Sequence, residues 1–213
     1  SHPRGGCRVS EQSQLIAQAR LARISRANEE LHEYKLASGA VRHKCFLSYH
    51  AADAEQVLKF VESFESVLIP KCLGVDEDDP WIDSEDTDYI MDRIRDKYLR
   101  DSTVTVVLVG DCTWSRKYID WEVYSSLRRD RLNRLNGLLA IQLPGASGSL
   151  PARVSDNVTR DPHNNDIGYG RYYVYPSNTW VLQNWIQDAF DARATRADLR
   201  ENSRARKKFN TAC

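Results

Sequence analysis

A nearly continuous apolar run at residues 103–109 constrains the fold of this chain more than any other feature. Such a run is typical of a strand that is covered on both faces, as in a parallel sheet. A helix is predicted over residues 115–128, after a short turn. Helical spacing puts Ser115, Tyr118 and Glu122 on one face of that helix. Open α/β sheets bind ligands beyond the carboxyl ends of their strands, so these side chains mark a candidate site.

Strands and helices alternate along most of the chain. The predicted strands are residues 45–49, 73–75, 103–109, 138–143 and 171–175. The helix after the first strand is strongly amphipathic, with Asp53 as its N-cap and Gln56 completing a capping box. Its apolar stripe contains Val57, Phe60, Val61, Phe64, Val67 and Leu68. This alternation predicts an α/β fold, a three-layer sandwich around a five-stranded parallel sheet.

The two ends of the chain differ in composition from its centre, and three regions are predicted. Residues 1–41 form a helical extension, whose weak apolar pattern and regularly spaced arginines indicate an appended helix and not a core element. Residues 42–195 form the compact domain. Residues 196–213 form a basic, polar tail that is expected to be frayed. The arginine-bearing face of the extension is either a solvated surface or a docking surface for a partner.

Charge and hydropathy argue against two classes of partner. The 30 Lys and Arg residues balance the 30 Asp and Glu residues, so no long-range attraction to phosphate favours nucleic-acid binding. No apolar run approaches the ~20 residues that cross a bilayer, so no membrane partner is expected. The chain is predicted to be cytoplasmic.

The five cysteines form no recognisable framework. Their number is odd and no CxxC spacing occurs, so neither a zinc site nor the dense disulfide pattern of a small secreted domain is expected. Cys45 and Cys72 lie in or beside apolar runs and are predicted to be buried, inert thiols. Cys112 lies near the candidate site and is the candidate for a reactive thiol.

Several common site motifs are absent from the sequence. It contains no Walker A loop, no GxGxxG after the first strand and no GxSxG elbow. A phosphoacceptor receiver needs an aspartate at the end of the third strand, acidic residues after the first and a lysine after the fifth. Those positions hold Gly110, His50 and Pro176. These differences disfavour a redox-cofactor, kinase-like or receiver function and a hydrolase that uses a GxSxG serine.

Residues 76–88 form an acidic loop around one tryptophan, Trp81. The loop does not fit the calcium-binding EF-hand, because Trp81 stands where glycine is required and Thr87 where glutamate is required. No metal site is therefore predicted. A tryptophan in such a polar segment is either packed against the domain or exposed as a lid or an assembly contact.

Three polar side chains near the candidate site differ in what their neighbours indicate. His50 follows the first strand and is either a ligand contact or a structural histidine. Asp120 has Arg116 and Lys117 at helical spacing, which predicts ordinary surface ion pairs. Glu122 has no cation at these spacings, so it is either a functional carboxylate or an unpaired surface glutamate. Its neighbours there are Tyr118, Ile119, Ser125 and Ser126.

Four segments of the sequence resemble the TIR domain family, and most closely the TIR-like ThsB proteins of bacterial Thoeris antiphage defence. They are residues 44–50, 83–89, 102–110 and 113–122. The last, TWSRKYIDWE, is the most specific, because the family often has an aromatic residue four positions before a catalytic glutamate. Tyr118 and Glu122 take these two positions. The resemblance extends over residues 43–192 and implies a flavodoxin-like arrangement of the sandwich.

The resemblance also implies a reaction, cleavage of the bond between nicotinamide and ribose in NAD. Glu122 would be catalytic, and NAD would be a substrate and not a resident cofactor. The substrate contacts would come from Ser48, Tyr49, His50, Asp53, Trp81, Ser115 and Tyr118. The product would be a cyclic ADP-ribose-type signal or ADP-ribose, which would reach a downstream effector by diffusion, and self-association is expected.

Two other functions stay open at this point. A non-catalytic TIR scaffold would assemble through the acidic loop, Trp81 and the arginine-bearing helix. A transferase that acts on nucleoside N-glycosidic bonds would also need a carboxylate in this place.

Overall fold

The computed structural model describes residues 11–28, 34–35, 39, 41–72, 89, 92–93, 96, 99–129 and 134–213. The acidic loop with Trp81 lies outside these residues, and so does the strand predicted at 73–75. The described strands are β1 (Tyr34–Lys35), β2 (Val41–Tyr49), β3 (Leu68–Cys72), β4 (Val104–Val109), β5 (Gly137–Gln142) and β6 (Arg171–Tyr173). The described helices are α1 (Glu11–Ala27), α2 (Ala54–Phe64), α3 (Lys117–Ser126), α4 (Ala152–Asn157) and α5 (Thr179–Thr195).

A sheet of five parallel strands in the order β3-β2-β4-β5-β6 forms the centre of the fold. The short β1 pairs antiparallel with the start of β2. Helices α1, α2 and α5 contribute to the hydrophobic core on one face, and α3 and α4 contribute to the core on the other. The predicted α/β sandwich with a five-stranded parallel sheet, in the flavodoxin-like arrangement, is confirmed.

Strand β4 is buried on both faces, as its sequence predicts. Val106 and Leu108 belong to the core cluster under α2 and α5, whereas Val107 and Val109 belong to the cluster under α3. Adjacent strands pair on both sides of β4. This position at the centre of the sheet explains the continuous apolar run.

The second parallel strand begins five residues earlier than predicted. Helix α2 ends at Phe64, so Val67 and Leu68 do not continue the helical stripe, and β3 starts at Leu68. The strand contains Pro70, which cannot donate a hydrogen bond to a neighbouring strand. Within the described residues β3 pairs with β2 alone, and an edge strand tolerates a proline.

Helix α1 is part of the hydrophobic core, and the expectation of an appended helix is wrong on this point. Ala17, Leu21 and Ser25 lie one turn apart and are buried. Ala17 and Leu21 belong to the same core cluster as α2 and β3. The Ser25 hydroxyl accepts a hydrogen bond of 3.1 Å from the amide of Cys72. The predicted boundaries of the three regions stay predictions.

The ends of the helices follow the sequence signals unevenly. The Asn178 side chain caps α5 by accepting a 3.0 Å hydrogen bond from the amide of Val181. Asp53 occupies the N-cap position of α2, but its side chain makes no capping bond. The tail was expected to be frayed, but residues 200–213 pack along α3 through hydrogen bonds to its side chains and backbone. None of the helices described here is both long and apolar enough to span a membrane.

Candidate active site

Glu122 lies where α3 crosses the carboxyl end of β2. Its carboxylate accepts a 2.5 Å hydrogen bond from the hydroxyl of Ser48, which is fully buried on β2. Ser48 is in register with Val107 of the central strand. Glu122 itself is only 7% exposed. The structure therefore brings together Ser48 and Glu122, two of the predicted site residues, at the edge of the sheet where α/β folds bind ligands.

The Glu122 carboxylate is buried with little to offset the cost of removing its charge from water. Burial raises its pKa to about 8, although the Ser48 hydrogen bond lowers it in part. No cation forms an ion pair with Glu122 within the part of the chain that the structure describes. A carboxyl group held in this way favours its neutral form until a positive charge arrives beside it.

Tyr49 and Cys72 lie within electrostatic range of Glu122. Burial raises the pKa of Tyr49 well above its ordinary value, with smaller contributions from Cys72 and Glu122. Burial also raises the pKa of Cys72 to about 12, with a further contribution from Glu122. Tyr49 follows Ser48 on the strand, so its side chain points to the opposite face, where it packs against the core under α2 and α5.

A second group of polar side chains lies at the same edge of the sheet. Burial, and then the charge of Arg116, lower the pKa of His50 to about 4, so His50 is neutral at pH 7. Burial and the charge of Asp111 raise the pKa of Asp53 to about 6, against the opposing effects of a Thr113 hydrogen bond and Arg116. Asp53 Oδ2 and Arg116 Nε are both buried without a hydrogen-bond partner among the described residues. A polar ligand could satisfy these atoms.

The Asp53 carboxylate also explains the glycine that follows β4. A Cβ atom at Gly110 would collide with the carboxylate of Asp53. The amide of Gly110 donates a 2.8 Å hydrogen bond to the hydroxyl of Thr113. Asp53 therefore packs against the end of the central strand instead of capping its own helix.

Ser115 and Tyr118 were both predicted to lie on the same face of one helix as Glu122, and only Tyr118 lies on that helix. Helix α3 begins at Lys117, and Ser115 belongs to a preceding 3-10 turn, so the prediction of one shared face is wrong for Ser115. The Ser115 hydroxyl donates to the carbonyl of Cys112 at 2.7 Å. Tyr118 lies one turn before Glu122 and contacts Trp121 edge-on, with ring centroids 5.2 Å apart. Substrate contact by any of these residues stays a prediction, and Trp81 lies outside the described part.

The sequence interpretation is also wrong for Asp120. It is buried, and its carboxylate accepts a 2.9 Å hydrogen bond from Nε of the fully buried Arg153. It also accepts a 2.8 Å hydrogen bond from the amide of Lys207. These partners lie 33 and 87 residues further along the chain, so no local pattern could identify them. Arg116, predicted as its surface partner, lies close enough to His50 and Asp53 to shift their pKa values.

The cysteines follow the predictions in part. Cys45 and Cys72 are buried free thiols, as predicted. Cys112 forms a disulfide with Cys213, so it is not the free reactive thiol that was considered. No group of His, Cys, Asp and Glu side chains within the described ranges could hold a metal ion.

A cavity of about 530 Å³ lies away from Glu122. It is lined by residues that follow α3, precede β5 and end α5, namely Arg129, Arg134, Leu135, Phe190, Asp191, Arg193, Ala194 and Thr195. This is the amino end of β5, whereas Ser48 and Glu122 mark the carboxyl end of the sheet. The size of the cavity therefore does not identify the candidate site, and the chemistry of the side chains does.

Comparison with known families identifies the domain that contains this site. Residues 46–148 match the family described as Thoeris protein ThsB, TIR-like domain. This region is similar to a ThsB-type TIR-like domain. The matched region runs from β2 through β5 and includes both Ser48 and Glu122. The match confirms the resemblance seen in the sequence and associates this TIR-like domain with Thoeris antiphage defence. No curated protein matches the chain.

Proposed function

We propose that this TIR-like domain cleaves the bond between nicotinamide and ribose in NAD, as an enzyme of Thoeris antiphage defence. Glu122 is the catalytic residue in this proposal. The observation that supports it is the buried Glu122 carboxylate, which is held by Ser48 and has no cationic partner in the described part of the chain. Structural carboxylates are normally paired when they are buried, as Asp120 is.

One carboxylate is sufficient for this reaction. Most glycosidases need an acid to protonate the leaving oxygen in addition to a base or nucleophile. In NAD the bond from C1′ of the ribose to the ring nitrogen breaks, and its electron pair neutralises the positive charge of the pyridinium. No proton has to be donated to the leaving group. The ionised Glu122 stabilises the positive charge that develops on the ribose.

The raised pKa of Glu122 fits this role if substrate binding ionises the carboxyl group. At pH 7 a carboxyl with a pKa of about 8 is mostly protonated in the free protein. The positive nicotinamide ring, placed beside it, favours the charged form and lowers that pKa. Binding of NAD therefore releases a proton from Glu122, and the positive nicotinamide ring becomes the cation that pairs with the carboxylate.

The neighbouring side chains divide the remaining tasks. Ser48 donates to one carboxylate oxygen and fixes its orientation. His50 is neutral at pH 7 and offers a ring nitrogen to a polar substrate group. Arg116, with its buried Nε, supplies positive charge for the pyrophosphate of NAD. Asp53, three residues after His50, and Tyr118, one helical turn before Glu122, line the same site in this proposal.

The product depends on which nucleophile attacks C1′. When water attacks, a new C1′–O bond forms, water loses a proton and ADP-ribose results. When an atom of the adenine or of a ribose hydroxyl attacks, the product is a cyclic ADP-ribose-type nucleotide that diffuses to a downstream effector. Mass spectrometry of the product formed from NAD distinguishes the two reactions.

Release of nicotinamide from NAD tests the proposal. The purified chain, Glu122→Gln and the control Glu65→Gln are incubated with NAD, and nicotinamide is measured by chromatography. Glu65 is exposed at the end of α2, so its change is chemically identical but distant from the site. We expect Glu122→Gln to be at least about 100-fold slower and Glu65→Gln to match the parent. Equal rates for all three proteins would show that Glu122 is not catalytic, and turnover of nucleosides with indifference to NAD would favour the transferase alternative.

An assembly function is the second candidate, and one feature of α1 favours it. Leu15 and Ile16 are adjacent apolar side chains that are 60% and 56% exposed. Exposed apolar pairs of this kind are common at contacts between protein chains. Light scattering that rises with protein concentration, without any turnover of NAD, would support a scaffold instead of an enzyme.

A further inference from the structure

The last fourteen residues follow α3 along its whole length in the opposite direction. We call residues 200–213 the C-terminal strap. Its contacts, in order along α3, are Cys213 with Cys112, Thr211 with Ser115, Asn210 with Lys117, Lys207 with Asp120 and Trp121, Asn202 with Tyr124, and Arg200 with Leu127. The strap therefore contacts every turn of the helix, and the disulfide joins its end to the turn before α3.

The strap supplies the cap that α3 otherwise lacks. Arg116 occupies the N-cap position, and its side chain makes no capping bond. The amide of Lys117, the first residue of the helix, donates a 2.8 Å hydrogen bond to Oδ1 of Asn210. Capping oxygens normally belong to the residue that precedes the helix, because they satisfy amides that have no partner within it. Here the oxygen comes from 93 residues away.

The strap and the sheet hold opposite faces of α3. The strap contacts Lys117, Asp120, Trp121 and Tyr124, which share one face at helical spacing. Trp121 donates from its indole to the carbonyl of Lys207 at 2.8 Å. The other face contains Ile119, Glu122, Val123 and Ser126, which pack on the sheet.

Arg153 joins the strap to the helix at the centre of this arrangement. Its side chain is fully buried and donates to Asp120 and, at 2.9 Å, to Oδ1 of Asn202. It also donates to the backbone carbonyls of Arg204 and Ala205. One guanidinium therefore fixes the middle of the strap to the helix that presents Glu122.

We propose that the C-terminal strap is a positioning element that sets the rotation and height of α3 and so places Glu122 against Ser48. Asn210 of the strap and Trp121 of α3, whose indole donates to the strap, are the positioning residues. The inference rests on the proposed function of Glu122, because it states what holds that carboxylate in its productive place. Without the strap, α3 would shift slightly relative to the sheet. Water would then reach Glu122, and the carboxylate would be less well aligned with the substrate.

The test uses the full chain with Asn210→Ala and Trp121→Phe. Lys208→Ala is the matched control, because Lys208 is an exposed strap residue. For nicotinamide release we expect kcat to fall about tenfold in the Asn210 and Trp121 variants, with KM changed much less, because positioning acts on the transition state. Asn210→Asp keeps an oxygen acceptor for Lys117 and should restore kcat.

A second measurement does not depend on turnover. The carboxyl band of Glu122, identified by its loss in Glu122→Gln, is titrated by infrared spectroscopy. We expect the midpoint to move about one pH unit toward the ordinary glutamate value in Asn210→Ala and Trp121→Phe, because water reaches the carboxyl group. Tyr49 and Cys72 stay protonated near this midpoint, since burial raises both of their pKa values. Midpoints and rates equal to those of Lys208→Ala would overturn the proposal. A parent protein that releases no nicotinamide would refute the proposed function, and the titration would still test the strap.

Discussion

The two faces of α3 hold buried carboxylates in opposite surroundings. On the strap side, Asp120 accepts hydrogen bonds from the guanidinium of Arg153 and the amide of Lys207. On the sheet side, Glu122 accepts one hydrogen bond from the hydroxyl of Ser48. Asp120 is compensated by a cation within the fold, whereas Glu122 has no such cation among the described residues. Burial alone therefore does not distinguish the two carboxylates. The groups that donate hydrogen bonds to them do.

The largest effect on stability is expected on the strap side. Arg153→Ala leaves Asp120 buried without its cation, which should lower the free energy of unfolding by about 3–5 kcal/mol. The control is Arg204→Ala, whose side chain forms an exposed ion pair with Asp156 and should contribute about 0–1 kcal/mol. Urea denaturation measures both. Equal losses would mean that the pair on this side of α3 is no more important than a surface ion pair.

Glu122→Gln should change stability in the opposite direction and only at higher pH. Below pH 4.5 the glutamate is protonated in the folded and the unfolded chain, so the variant should match the parent. As the pH rises toward 8 the unfolded chain ionises first, which destabilises the folded parent but not the glutamine variant. The gain should be at most about 5 kcal/mol at pH 9, since the pKa rises from 4.5 to about 8 and one pH unit corresponds to about 1.4 kcal/mol. Denaturation midpoints at pH 4.5 and pH 9 measure it, and a gain that does not depend on pH would contradict the raised pKa.

Ser48→Ala should have the smallest effect, a shift in the titration of Glu122. The Ser48 hydrogen bond favours the charged carboxylate, so its removal raises the pKa further above about 8. We expect the midpoint of activity to move about one pH unit toward alkaline values. Ser63→Ala, an exposed substitution on α2, is the control. An acid shift in Ser48→Ala would mean that the hydroxyl stabilises the neutral carboxyl instead.

The central strand and the lack of a cation beside Glu122 on its helix could be predicted because both depend on local patterns. The apolar run at residues 103–109 indicates a central strand, and β4 is buried on both faces. Glu122 has no cation one turn away in the sequence, and it has none in the described structure either. Local spacing was sufficient in these cases because the relevant neighbours lie within one element.

The errors arise where the deciding contact is distant in the sequence. Asp120 looks like a surface residue until Arg153 and Lys207 are placed beside it. The tail looks disordered from its composition, but it is fixed by contacts with a helix about 90 residues earlier, such as that of Asn210 with Lys117. Strand β3 contains Pro70, and proline argues against a strand. Only the position of β3 at the edge of the sheet, which the sequence does not show, makes a proline acceptable there. Patterns within one segment cannot reveal these pairings.

The pH dependence of kcat/KM for nicotinamide release tests the role of Glu122 most directly, because kcat/KM reports ionisation in the free protein. We predict that kcat/KM rises with pH and levels off above a midpoint near pH 8, the pKa to which burial raises Glu122. In Glu122→Gln this rise should be absent and the value should be at least about 100-fold lower on the plateau. A parent profile without this midpoint, together with undiminished cleavage by Glu122→Gln, would contradict the assignment of Glu122 as the catalytic carboxylate.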